Sequence, residues 1–282
     1  MSNQPGVLYV VATPIGNLDD LSPRALLTLN EVSLIAAEDT RHSSKLLRHF
    51  GILTPATAFH EHNEREKTAE LIAFLRAGKS LALISDAGTP LVSDPGYRLV
   101  HAAHAAAIRV VPLPGACAAI VALSASGLPS DRFAFEGFPP LKSAARLSWY
   151  EALVHEPRTL IFYESPHRIV ESLQDMVAVF SAARVAVYAR ELTKQFETIR
   201  HATLGEIARW VEADSNQQRG EIVVLLHGAA PAAAETSEEA ARIVRILIKE
   251  LPVRQAAALA AEITGQKKNQ LYELALQFKQ GQ

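Results

Sequence analysis

Glu38-Asp39-Thr40-Arg41 sets two carboxyls, a hydroxyl and a guanidinium in consecutive positions. Such a set could take a proton from a hydroxyl nucleophile and steady the charge that develops; it could equally cap a helix with a local ion pair. Arg41 also begins a run in which Lys45, Arg48 and His49 recur at helical spacing and share a face. A longer stretch, Asp86-Ala87-Gly88-Thr89-Pro90-Leu91-Val92-Ser93-Asp94-Pro95-Gly96, is built from small, oxygen-bearing and turn-forming residues. Asp86, Thr89, Ser93 and Asp94 would line a crevice there, while Gly88 and Gly96 would let the backbone approach a ligand. Pro114-Gly115-Ala116-Cys117 places small residues where an apolar helix begins, so its N–H groups could receive a ligand or simply permit tight packing. Two further charged loops, Glu164-Ser165-Pro166-His167-Arg168 and Arg190-Glu191-Leu192-Thr193-Lys194, lie in the second half. His60-Glu61-His62 lacks further ligands at a recognised spacing, and no metal site is assigned.

Each of these loops follows a short apolar run of strand length: Val7 to Ala12, Leu34 to Ala37, Leu81 to Ile84, Arg109 to Leu113, Thr159 to Tyr163 and Arg184 to Ala189. Helical segments separate them, several with readable ends. Ser22-Pro23 supplies a cap and a first-turn proline, Asn63 is expected to cap a helix from Glu64 to Ala77, and Gly51 and Gly78 close helices. Strand, loop, helix in alternation predicts α/β architecture, with ligands gathered at the carboxyl ends of the strands. The loop Thr13-Pro14-Ile15-Gly16-Asn17 is not the G-x-G-x-x-G fingerprint, so no nicotinamide or flavin is assigned. The expected organisation is an N-terminal α/β domain over 1–113, a second over 114–228, a small-residue linker over 229–236, and a helical tail over 237–282. In that tail, two helices around Gly265 have a spacing compatible with a helix-turn-helix.

With 49% apolar and 21% charged residues, the composition is that of a globular protein, and a net charge of −2 argues against binding nucleic acid through global charge. Cys117 is the only cysteine, which leaves no disulfide framework. No apolar run reaches the ~18–20 residues of a membrane span and the N-terminus lacks a basic leader, so the expected location is the cytoplasm.

Read together, Val11-Ala12-Thr13-Pro14-Ile15-Gly16-Asn17-Leu18-Asp19-Asp20-Leu21-Ser22, Asp86-Ala87-Gly88-Thr89-Pro90, Pro114-Gly115-Ala116, Tyr163-Glu164-Ser165-Pro166-His167-Arg168 and Arg190-Glu191-Leu192-Thr193-Lys194 resemble the tetrapyrrole methylase superfamily. They resemble most its branch that methylates small-subunit ribosomal RNA, whose helical appendage the tail is also similar to. The resemblance implies two α/β domains with S-adenosylmethionine folded in the cleft between them, usually in a homodimer. It implies cofactor contacts at Pro14, Asp86, Gly88, Thr89, Pro90, Gly115, Ala116, Phe162, Tyr163 and Ile222. The family's G-D-P turn reads Gly88-Thr89-Pro90 here, and the glycine-rich first loop of the porphyrin enzymes is replaced. Those departures favour the RNA branch, for which the resemblance implies 2′-O-methylation of a cytidine in 16S ribosomal RNA, within the 30S subunit.

A ribose hydroxyl attacks well only as it loses its proton, so an acceptor and a cation near the developing alkoxide would help. Glu38 or Asp39 is expected as acceptor, with Arg41 positioning phosphate or alkoxide. Lys194 and Arg190 are further candidates, and Arg168 is one for holding backbone phosphate. A tetrapyrrole C-methyltransferase and a non-catalytic ribosome-assembly factor remain the alternatives at this point. Near-neutral charge predicts weak salt dependence of RNA binding.

Overall fold

The structure is a computed structural model describing residues 4–230 and 238–280. Ser237, where the expected helical tail begins, and residues 231–236 of the expected linker lie outside the described residues. The chain divides into two compact bodies, Met1–His227 and Gly228–Gln282.

The first body opens with β1 (Leu8–Val11), α1 (Pro23–Glu31), β2 (Leu34–Ala37), α2 (Thr40–His49), β3 (Ala56–Ala58), α3 (Glu64–Arg76), β4 (Leu81–Ile84), α4 (Tyr97–Ala105) and β5 (Val110–Leu113). The strands form one parallel sheet in the order β3-β2-β4-β1-β5. A parallel sheet needs both faces covered, and the strand sequences are accordingly apolar throughout; all residues of β4 are buried. Ala25, Leu29 and Leu47 pack on one face with Ile35 and Ile84, and Leu71, Leu75, Leu99 and Ala103 pack on the other with Leu81 and Leu83. Because β1 lies between β4 and β5 while β2 lies beyond β4, the chain changes winding direction beside β1. That is where the carboxyl ends of β1 and β4 leave a crevice.

Then come α5 (Ala118–Ser126), β6 (Phe133–Gly137), α6 (Ser143–Glu151), β7 (Thr159–Glu164), α7 (Ile169–Phe180), β8 (Val185–Arg190), β9 (Thr198–Thr203), α8 (Leu204–Ala213) and β10 (Ile222–Leu226). The second sheet has the order β6-β7-β10-β8-β9; only β6 and β7 run parallel, and the other pairs are antiparallel. Its faces have different partners. Leu160, Phe162, Tyr188 and Val224 pack beneath α6, α7 and α8, whereas Ile161, Val187, Val223 and Leu225 face α5 together with Ile15 of the first sheet's loop. The second face is thus what closes the crevice of the first sheet.

Two local expectations need correction. Thr198–Thr203 is a strand, pairing with β8 from Val185↔Thr203 to Arg190↔Thr198, where the sequence suggests only the continuation of a charged loop. A polar sequence such as TIRHAT gives little strand signal, but it suits an edge strand half open to water. Asn63 does stand before α3, yet its side chain makes no cap: Oδ1 accepts the His60 N–H at 2.9 Å and Nδ2 donates to the Ala58 carbonyl at 3.1 Å, so it ties the preceding loop instead. Ser22 behaves as expected, accepting the Ala25 N–H at 3.1 Å ahead of Pro23.

The second body consists of α9 (Glu238–Glu250), α10 (Val253–Thr264) and α11 (Lys268–Gln280). Ala240, Ala257, Ala260 and Ala275 form its core with Val244 and Leu271, and the four alanines let three short helices approach closely. Gly265, at φ +69°, ends α10 in the left-handed conformation a glycine accepts most easily. No helix among the described residues is long and apolar enough to cross a membrane.

Candidate cofactor cleft and active site

The loops after β1, β4 and β5 are fastened to one another by short-range contacts. Thr13 and Gly88 exchange backbone hydrogen bonds at 2.8 and 3.0 Å, and the Thr13 hydroxyl donates to the Ser85 carbonyl at 3.2 Å. Thr89 Oγ1 donates to the Ala116 carbonyl at 2.9 Å, which binds the β4 loop to the β5 loop. Gly115 sits directly against the end of β1: a Cβ there would fall 2.7 Å from Cβ of Ala12. Gly88, at φ +83°, has the positive φ that lets the chain turn back toward Thr13. These residues are few, but together they fix where a ligand can lie.

Between them and the second sheet lies a cavity of about 430 Å³, within the range of small-molecule sites. The first sheet contributes Ile15, Glu38 and the segment from Asp86 to Thr89 with Asp94; the second contributes Tyr163, Leu192 and the segment from Gly220 to Val223. Cys117 and Ala118, at the start of α5, complete the wall. Tyr163 anchors that start, its Oη accepting the Ala119 N–H at 3.1 Å, and its ring packs edge-on against Phe135 and Phe138 at 4.7 and 5.6 Å. Burial raises the Tyr163 phenol well above its ordinary range, so it stays neutral.

Among the described residues the charges in the cavity wall are all acidic: Glu38, Asp86, Asp94, Glu164 and Glu221 line it, and no described lysine, arginine or histidine does. Glu164 is paired with Arg168 at 2.7 Å and Glu221 with Lys194 at 2.9 Å. Glu38, Asp86 and Asp94 have only backbone or hydroxyl partners there: Glu38 accepts the Asp86 N–H at 3.3 Å, Asp86 accepts the Asp39 N–H at 3.1 Å, and Ser85 bonds to Asp94. Burial, then the neighbouring charge of Glu38, pushes the Asp94 carboxyl up to about 6. Burial likewise raises Glu38, with the Asp86 charge adding to it. Asp94, at about 6, is ionised at neutral pH and basic enough to draw a proton from a hydroxyl.

The expected site residues fall into separate groups. Glu38, Asp86, Gly88, Thr89, Tyr163 and Ile222 line the cavity. Pro14, Pro90, Gly115 and Ala116 flank it and shape the turns, Ala116 through its carbonyl bond to Thr89. Asp39 and Arg41 turn away: Asp39 caps α2, accepting the Arg41 N–H at 2.8 Å, and pairs with the Arg41 guanidinium at 3.3 Å. The Arg41 side chain is 92% exposed, and its bonds to Asp39 hold that carboxyl below its ordinary value. Thus the cap and ion pair describe Asp39 and Arg41, while adjacent Glu38 faces the cavity. Lys194 crosses the rim between Glu191 at 2.8 Å and Glu221 at 2.9 Å, its stem lying against Gly16, where a Cβ would collide with Lys194 Cγ. Burial opposes its charge, but the two carboxylates outweigh that and raise it above the ordinary lysine value. Arg190 is buried, donating to Gln217 Oε1 at 3.2 Å and to the Phe196 carbonyl, and braces the β8–β9 loop. The Phe162 side chain is corrected: alternation along β7 sends it to the opposite face from Tyr163, fully buried against Trp149 and Tyr150 and away from the cavity wall. Asp94, which carries the largest carboxyl perturbation in the cavity, was legible only as a crevice residue of the long loop.

Comparison with known proteins places the chain among methylases. A family model for tetrapyrrole (corrin/porphyrin) methylases matches residues 7–208, and one for the RsmI C-terminal HTH domain matches residues 234–279. The ribosomal RNA small subunit methyltransferase I of Pseudomonas aeruginosa is 63% identical over 274 residues, covering 96% of this chain and 97% of that protein. The enzyme of the same description from Escherichia coli O157:H7 is 55% identical, covering 98% of this chain and 96% of its own. Among solved structures, uroporphyrin-III-C-methyltransferase from Thermus thermophilus superposes with a TM-score of 0.57 at 20% identity, over 79% of this chain and 94% of that one. A diphthine synthase superposes with a TM-score of 0.60 at 14% identity, over 79% and 90%. At such identities these two likenesses concern the fold alone.

Proposed function

The chain belongs to the tetrapyrrole (corrin/porphyrin) methylase family, and from that premise we infer that it is an S-adenosylmethionine-dependent methyltransferase acting on the ribose 2′-hydroxyl of a cytidine in 16S ribosomal RNA. The observation that carries the cofactor is the charge of the cavity. A wall with three carboxylates unpaired by any cation, set beside the apolar side chains of Ile15, Leu192 and Val223, suits a sulfonium bearing an adenosyl group and repels phosphate. Gly88 and Thr89 on one side, Tyr163 and Ile222 on the other, are the residues that would hold it, with backbone brought close at Gly88 and Gly220. When bound, S-adenosylmethionine supplies an electrophilic methyl group.

The chain's own residues then have three tasks. The tied loops of β1, β4 and β5 fix the geometry of approach, the largest share of what an enzyme can add when the donor is already reactive. Glu38 and Asp94 provide a carboxylate that takes the proton from the attacking hydroxyl, burial having raised both above the ordinary carboxyl range. Phosphates, excluded by the acidic wall, lie along the rim. Exposed Arg41 on α2, with Lys45 and Arg48 along the same exposed face, and Lys194 over the first loop are placed there to meet them. Assignment to RNA rather than to a tetrapyrrole rests on the identity to ribosomal RNA methyltransferases across nearly the full length. A homodimer and a cytoplasmic location complete the reading, in keeping with the family resemblance.

The reading is tested by offering the purified protein labelled methyl donor with 30S subunits from a strain lacking the activity, and in parallel with a porphyrinogen. Label on 30S RNA alone is expected. Label on the porphyrinogen alone would replace the substrate, and cofactor binding without label on either would favour the assembly-factor alternative.

A further inference from the structure

A second concavity, of about 320 Å³, opens between α3 and α4 and is lined by Arg65, Thr68, Tyr97, Arg98 and His101. Its composition is the reverse of the cleft's: two arginines, two rings and no carboxylate in the wall. Tyr97 and His101, one helical turn apart, stack with centroids 5.8 Å apart and planes 23° from parallel. Tyr97 is 70% exposed and His101 is exposed as well, so a pre-stacked pair of rings faces water without a packing partner. The arginine heads stand beside them. Arg98 approaches only the edge of Glu64, at 3.8 Å, and that carboxylate is turned inward to accept the Gly96 and Arg98 N–H groups, both at 3.1 Å. Arg65 takes part in no ion pair among the described residues.

We propose that this patch, Tyr97 and His101 with Arg65 and Arg98, is a docking site for single-stranded substrate RNA flanking the target nucleotide: a base stacks on the ring pair while the arginines hold its phosphates. The proposal rests on the RNA reading above and adds to it a place where the strand is gripped. Near-parallel rings present a flat platform that any base can extend, and arginine beside a platform is the usual complement for the charged backbone. Location supports it. Only Pro95 and Gly96 lie between Asp94 in the cleft wall and Tyr97, a span of at most about 11 Å, so a strand with its target ribose in the cleft has its neighbouring nucleotides at this surface. In a protein of net charge −2, a local cationic and aromatic patch is how RNA affinity would be concentrated without a basic surface overall.

The test compares wild type with Y97A/H101A, Y97F and R65A/R98A in the full-length protein. Filter binding to unmethylated 30S subunits over a range of salt gives Kd independently of turnover, and steady-state methylation gives KM and kcat. Y97A/H101A should raise Kd and KM for 30S about tenfold with kcat and affinity for S-adenosylmethionine unchanged, and Y97F should bind like wild type. R65A/R98A should weaken binding and flatten the log Kd against log salt slope by about 1 to 1.5. Equal 30S binding by wild type and both double variants, or a wild type that does not bind 30S at all, overturns the docking site. A wild type that binds 30S in a patch-dependent manner yet transfers no methyl group overturns the enzymatic reading and leaves the docking site standing.

Discussion

Asp94→Asn separates stability from catalysis at the proposed proton acceptor. In the folded protein burial and Glu38 hold the Asp94 carboxyl at about 6, against an ordinary value of 3.8. The folded state therefore binds the proton more tightly than the unfolded chain, and stability falls as pH rises between those values. At 1.36 kcal/mol for each pH unit the full cost of ionised Asp94 above pH 6 is about 3 kcal/mol. The side chain is only half-buried, and solvent screening reduces this to about 1–2 kcal/mol. Asparagine removes the charge and keeps the shape. The variant should therefore be about 1–2 kcal/mol more stable than wild type at pH 8 by urea unfolding and should converge on it below about pH 3, where Asp94 is protonated in both states. Methylation should fall by about 10²–10⁴, the share of a general base, and S-adenosylmethionine should bind more weakly, because one of the three carboxylates that suit its sulfonium loses its charge. In wild type, log kcat should drop as pH falls through about 6. A variant no more stable at pH 8, or one that methylates at the wild-type rate, would refute the reasoning.

Other outcomes follow from the same geometry. Gly115→Ala forces a methyl to 2.7 Å from Ala12 and should cost about 1–3 kcal/mol while weakening cofactor binding, read by calorimetry, because the Thr89–Ala116 tie lies next to it. Cys117, the sole cysteine and a wall residue, should react with a thiol reagent about a hundredfold more slowly when S-adenosylmethionine is present at a hundred times its Kd; an unchanged rate would place the cofactor elsewhere. Arg146 is completely buried, with Asp175 at 2.6 Å, so Arg146→Ala should destabilise the second lobe by about 3–5 kcal/mol in chemical denaturation, and a loss below 1 kcal/mol would contradict the packing described.

Local chemistry made much of this molecule readable in its sequence. The apolar strands and the small-residue loops after them announced α/β layers with a crevice at the strand ends, since only a sheet covered on both faces tolerates runs such as Leu81 to Ile84. What failed was whatever depends on which way a side chain turns. Glu38 and Asp39 are neighbours of the same chemistry, yet one lines the cavity and the other caps a helix. Phe162 and Tyr163 were expected together, although the alternation of a strand permits only one of them on the cleft face. The contact of Lys194 with Gly16 joins the two lobes across a long stretch of sequence, and no local pattern could have shown it. Edge strand Thr198–Thr203 was hidden by its polarity.

Nucleoside chromatography of nuclease-digested, label-bearing 16S RNA reads out the chemical position of the transferred methyl group. All the label should appear in a single ribose-methylated cytidine, at one site per subunit. Label in a base-methylated nucleoside, or spread over many nucleosides, would contradict 2′-O-methylation of a single cytidine.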